Sequence, residues 1–177
     1  YSNSKSGIRF TYSNSKSGIK WHKKSVLIMN PFIIPKPQHL KINKGYFTLT
    51  DNFSVYFDPN IDCNYIKKFI IEKILPPTSF HYTETTNPND SQICFLHDPK
   101  ILKEGYNLEI TNIKLSIQAS SPSGHFYGLI TFMQLLPTEI FNDITSTTYS
   151  EWTAPCVTIN DFPQFNWRGM HLDCSRH

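Results

Sequence analysis

The stretch from Glu104 to Pro137 limits the fold more than any other part of this chain. Tyr106, Leu108 and Ile110 alternate along one segment, and Ile113, Leu115 and Ile117 along the next. Thr111-Asn112 lies between them, where a tight turn needs a residue tolerant of positive φ, so the pattern predicts an antiparallel hairpin. Ser121-Pro122-Ser123-Gly124 then leads into His125 to Leu136, which is apolar on almost every side. A helix of that kind must be covered, so this one is expected between two layers, with Pro137 ending it.

The flanking segments fill in an α+β domain over residues 31–160. Tyr46 to Phe57 alternates as a half-buried strand pair around Asp51-Asn52, expected at a sheet edge. Asp62 to Leu75 switches to helical spacing: Ile66, Phe69, Ile70 and Ile74 share a face, Asp62 is the expected N-cap, and Pro76-Pro77 the expected end. Thr78 to Ser91 reads as a loop, and Gln92–Leu96 and Pro155–Ile159 as short strands. This order describes an antiparallel sheet with two helices on one side.

Residues 1–30 form a polar, basic tail carrying a tandem duplication, YSNSKSGIRFT followed by YSNSKSGIKWH, which is too short and too polar to build a solenoid. The net charge is +3 and its excess lies largely in the first 44 residues, so nucleic-acid binding is not implied. No apolar run is long enough to span a membrane, and Asn30-Pro31 interrupt the most apolar early segment. No signal peptide is visible. Cys63, Cys94, Cys156 and Cys174 match no zinc spacing and read as buried thiols; no metal or cofactor is expected.

The closing run, Trp167 to His177, reads as an apolar strand that opens with Arg168 and closes with Asp173, Arg176 and His177. A strand needs a neighbour for its backbone groups, so the expectation is that its sheet lies beyond His177 and that the chain is a piece of a longer protein. The first residue, Tyr1, fits the same expectation.

Four segments in order, IIPKPQHL at 33–40, EGYNLEI at 104–110, SPSGHFYGLITFMQLLP at 121–137 and DFPQFNWRGMHLDCSRH at 161–177, resemble the family 20 glycoside hydrolases, the β-N-acetylhexosaminidases. The resemblance implies an accessory α+β domain before a (β/α)8 barrel, with only the first barrel strand here, at 161–177. It implies cleavage of terminal N-acetylhexosamine residues with retention, the substrate's own acetamido oxygen acting as nucleophile. The family's catalytic carboxylates are an adjacent Asp-Glu pair, and no such pair occurs in this sequence, so the chain alone is expected to be inactive. Arg168, in Trp-Arg-Gly, matches the family arginine that reaches hydroxyls of the terminal sugar, a role suited to a rigid fork of donors. The alternative for Arg168 is an ion pair at the base of the barrel. Asp173 with Arg176 is read as a pair fastening the strand, His177 as scaffold, and His125 and Tyr127 as packing. The expected partners are N-acetylhexosamine-terminated glycans, with a homodimer of the whole enzyme and a secreted or lysosomal location. A stand-alone carbohydrate-binding or interaction module is the competing reading; a metallopeptidase is set aside for want of His-Glu-x-x-His.

Overall fold

The computed structural model describes residues 31–144 and 151–172. Among these, β1 (His39–Leu49), β2 (Asn52–Phe57), β3 (His81–Thr85), β4 (Ile93–His97), β5 (Tyr106–Ile110), β6 (Leu115–Ala119) and β7 (Trp152–Asp161) form one sheet in the order β1-β7-β5-β6-β4-β2-β3. Helix α1 (Asn64–Phe69) runs through a π-turn at Ile70–Ile74 into α2 (Leu75–Thr78), and α3 is Pro122–Leu135.

The sheet is mixed, which corrects the antiparallel expectation. Pairings β1–β7, β7–β5 and β5–β6 are antiparallel, whereas β6–β4, β4–β2 and β2–β3 are parallel. The helix after β2 returns the chain to its starting end, so β3 must run beside β2 in the same direction. Residues 86–92 then cross β2 at Ser54, whose hydroxyl donates to the Asp90 carbonyl at 2.9 Å and whose carbonyl accepts from Gln92 N at 2.9 Å. The chain continues beyond that crossing as β4.

The strand pair expected around Asp51-Asn52 does not form. β1 lies at one edge against β7, while β2 sits between β4 and β3. Residues 152–155 of β7 pair with β1, whereas β5 reaches β7 only at 158–161, so the β1–β7 ribbon runs on past the β5–β6 turn. A bulge between Ile42 and Tyr46 bends that ribbon. At the bulge Gly45 adopts φ +107°, and the Asn112 side chain occupies the space a Cβ would need. Past the bend, Thr50 N and Oγ1 donate to Gln92 Oε1 at 3.2 and 3.1 Å, fastening the end of β1 beside the start of β4.

Three smaller expectations are also corrected. Thr78–Ser91 contains β3, an exposed polar edge strand whose Tyr82 stacks on Phe53 at 5.9 Å. The β5–β6 connection closes from Thr111 N to Lys114 O at 2.9 Å, Asn112 needs no positive φ, and Ile113 faces solvent. Pro76 and Pro77 do not end the helix but stand within its last turn, at the start of α2.

Both helices pack on one face of the sheet. Ile66, Ile70 and Ile74 are buried, as the spacing predicted, but the N-cap is Cys63 and not the expected Asp62, whose Oδ1 accepts from Asn64 N at 3.3 Å just before the helix. On α3, Phe132 meets Phe47 edge-on at 5.9 Å. The sheet covers α3 on one side and α1 flanks it, but Tyr127 on its outer side stays part-exposed, so the described residues supply one covering layer and not two. Cys94 and Cys156 are buried thiols and Cys63 is half-buried; Cys174 lies outside the described residues.

His125 is fully buried, with Nδ1 2.9 Å from Ser121 O and Nε2 2.9 Å from Leu96 O. Burial pushes its imidazole below the ordinary value of 6.5, while the two carbonyls and Asp58 pull the other way and His97 reinforces the fall. The folded state therefore prefers the neutral ring. That preference is fully present above the unfolded value and is lost as pH drops through the lower folded one. Urea titrations are expected to show stability falling below about pH 6.5, with a His125→Gln variant less stable but flatter across the window. An equal slope in both proteins would remove His125 as the cause.

Candidate functional site

β7 ends at Asp161, where the domain hands over to the motif segment. Its Oδ1 accepts from Gln38 N at 3.1 Å and its Oδ2 from the Tyr106 hydroxyl at 3.3 Å, which also bonds Thr131 Oγ1 at 2.6 Å. Burial holds the Tyr106 phenol far above its ordinary value, so it stays protonated and able to donate. Through this network the aspartate of Asp-Phe-Pro fixes where the chain leaves the sheet. Phe162 then packs on Gly105.

Residues 162–172 carry no helix or strand. The strand expected from Trp167 is absent from its described part, whose backbone has no strand beside it to pair with. Asp173, Arg176 and His177, read from sequence as a fastening pair and scaffold, lie outside the described residues. Phe165, Trp167, Met170 and Leu172 are all exposed, Trp167 at 87% and Met170 at 88%. Asn166, Gly169 and His171 stand between them.

Arg168 is held within this run. Its Nη1 donates to Phe165 O at 2.8 Å and its Nη2 to Glu104 Oε2 at 2.6 Å. The bond from Glu104, followed by Tyr127, favours the charged guanidinium further. Arg168 thus forms an ion pair with Glu104, on the loop before β5, and not at the base of a barrel as the alternative reading had it. Sequence reasoning missed Glu104, and no local pattern marks it: the side chain is one acid among several until the chain folds back 64 positions.

A second feature lies on the open face of the sheet. Asn107, Glu109, Ser116, Gln118, Thr158 and Asn160 line a shallow depression of about 360 Å³. Several of its polar groups already satisfy one another or a neighbour: Asn160 donates to Asn107, and Asn43 to Thr158 Oγ1 at 3.0 Å. Among the described residues no group of three His, Cys, Asp or Glu is placed to hold a metal, and no helix is long and apolar enough to cross a membrane.

Residues 30–162 match the family description "Glycosyl hydrolase family 20, domain 2". The chain belongs to glycoside hydrolase family 20. A β-hexosaminidase of Porphyromonas gingivalis is 30% identical over 149 residues, covering 82% of this chain and 19% of that protein. A β-hexosaminidase of Vibrio furnissii is 25% identical, covering 82% and 22%. In structure, the family 20 exo-β-N-acetylglucosaminidase of Vibrio harveyi, solved with N-acetylglucosamine, superposes with a TM-score of 0.67 at 28% identity over 82% of this chain and 21% of its own. The Flavobacterium johnsoniae chitobiase gives 0.63 at 30% identity, covering 82% and 23%. The chain therefore spans about a fifth of the length of these family 20 relatives.

Proposed function

We propose that residues 31–160 are the accessory domain of a retaining exo-β-N-acetylhexosaminidase, and that 161–177 lead into the first strand of its (β/α)8 barrel. The enzyme removes terminal N-acetylhexosamine from glycans, in a secreted or lysosomal setting. The substrate's acetamido oxygen attacks the anomeric carbon while an acid protonates the leaving oxygen and a neighbouring carboxylate orients the acetamido group. Those carboxylates belong to the barrel, since the sequence holds no adjacent Asp-Glu pair. What this chain contributes is position and binding. Asp161 aims the connecting segment, and Arg168 offers its fork of donors to vicinal sugar hydroxyls.

The observation that carries this reading is one of succession. A family 20 domain that ends at 162 is followed at once by Trp167-Arg168-Gly169 on an exposed apolar run. A free-standing carbohydrate-binding module fits less well, because it would leave Phe165, Trp167, Met170 and Leu172 in water.

The test is made in the enzyme that joins this chain to its barrel. Arg168→Ala is expected to raise KM for a p-nitrophenyl N-acetylglucosaminide by about 30-fold, with a smaller fall in kcat, as loss of a bidentate charge-assisted contact requires. Kinetics unchanged by the substitution would remove Arg168 from the sugar site.

A further inference from the structure

Glu104 stands out by its backbone. It is one of two non-glycine residues with positive φ among the described residues, at +65°, next to a glycine that could have taken the strained position itself. A strained non-glycine residue persists only where its surroundings impose the conformation, and such outliers cluster at functional sites. Here the surroundings are plain: Glu104 N donates to Ser121 Oγ at 3.4 Å, the same hydroxyl that accepts from Gly124 N at 3.3 Å to cap α3. Gly105 N closes the turn onto Leu102 O at 2.8 Å. The helix cap, the tight turn and the start of β5 thus hold Glu104 in an orientation its backbone alone disfavours.

The orientation serves one contact. The Glu104 carboxylate meets Arg168 at 2.6 Å with side chains 30% and 43% exposed. A pair that wet adds little to stability, so stability does not account for the strained backbone that presents it. The contacts with Phe165, Glu104 and Tyr127 engage three of the guanidinium's five N–H donors, which leaves two for a ligand. We propose that Glu104 is a positioning residue: the accessory domain reaches through it to set the Arg168 guanidinium for the hydroxyls of the terminal sugar. This rests on the sugar-contact reading of Arg168. It gives the domain a direct part in substrate affinity, beyond acting as a rigid neighbour of the barrel.

Two substitutions separate positioning from structure. Glu104→Gly removes the carboxylate and also relieves the backbone, whereas Glu104→Asp keeps the charge on a shorter arm. In the intact enzyme Glu104→Gly is expected to raise KM about 10-fold with kcat changed less than about twofold, and Glu104→Asp to recover part of the loss. Thermal stability of Glu104→Gly is expected to be unchanged or higher. Affinity and stability moving in opposite directions is a result that a merely structural residue does not give. In the 177-residue chain, trypsin is expected to cut after Arg168 about fivefold faster in Glu104→Gln than in wild type or in Glu109→Gln, because the ion pair no longer withholds the side chain. An unchanged KM in Glu104→Gly while Arg168→Ala raises it would overturn the positioning role and leave the sugar contact standing. No effect from Arg168→Ala would remove both. A raised KM accompanied by lost stability, or equal tryptic rates, would also overturn the proposal.

Discussion

Incubated with p-nitrophenyl N-acetyl-β-glucosaminide, the 177-residue chain is expected to release no nitrophenol above the uncatalysed background, whereas the same chain extended through its barrel turns the substrate over. The oxocarbenium-like transition state needs a proton delivered to the leaving oxygen, an effect worth about 10²–10⁴-fold by itself. It also needs a carboxylate beside the positively polarised ring, and preorganised charge of that kind is usually the largest single contribution to catalysis. No adjacent Asp-Glu pair occurs in the sequence. Three of the described acids are engaged elsewhere, Asp161 by Tyr106 and Gln38, Glu104 by Arg168, and Glu84 by Lys67 at 2.6 Å. The measurement is a fixed-time assay at high protein concentration, compared with buffer. Turnover by the chain alone would place the catalytic groups within these residues and undo the proposed division of labour between domain and barrel.

The second large effect concerns Gly124, at the start of α3. In an exposed helix, glycine to alanine is worth about 1 kcal/mol of added stability. Here the sign is expected to reverse. A Cβ on Gly124 would lie 2.3 Å from the Gly105 carbonyl oxygen and 2.8 Å from Ala119 Cβ, and the first of these is backbone that cannot rotate away. Gly124→Ala is expected to cost about 3 kcal/mol by urea denaturation, the upper part of the range for overpacking. The same substitution at exposed Ser123 serves as control, with a change below about 0.5 kcal/mol. Equal stabilities would mean that α3 can lift off the 102–105 loop at no cost.

Elements with a strong local period were legible before the fold was known. The β5–β6 hairpin and α1 stand where Leu108, Ile117 and Ile66 predicted, because burying one face imposes period two or 3.6 on the residues themselves, and α3 stands where its nearly all-round apolar run predicted a covered helix. Strand partners were not legible. Phe53 and Val55 announce a strand in β2 but not that it runs parallel between β3 and β4, since pairing is decided by where α1 returns the chain. β3 was missed because its residues look out on water at an edge, where nothing selects for alternation. The Asp51-Asn52 turn was a true local signal with the wrong partner, because the bulge at Gly45 carries β1 away to the far edge. At the site, the Trp-Arg-Gly motif pointed to Arg168, while Glu104 required a contact between distant parts of the chain.

The edge pairing of β1 with β7 has a consequence for biosynthesis. Gln38 and Asp161 meet across 123 positions, so closing that side of the sheet carries a large loop entropy and belongs to the last stages of folding. While a ribosome is still producing β7, β1, with Phe47 and Leu49, has no strand partner among the described residues. That is the interval in which a nascent chain would aggregate, or would need a chaperone to shield it.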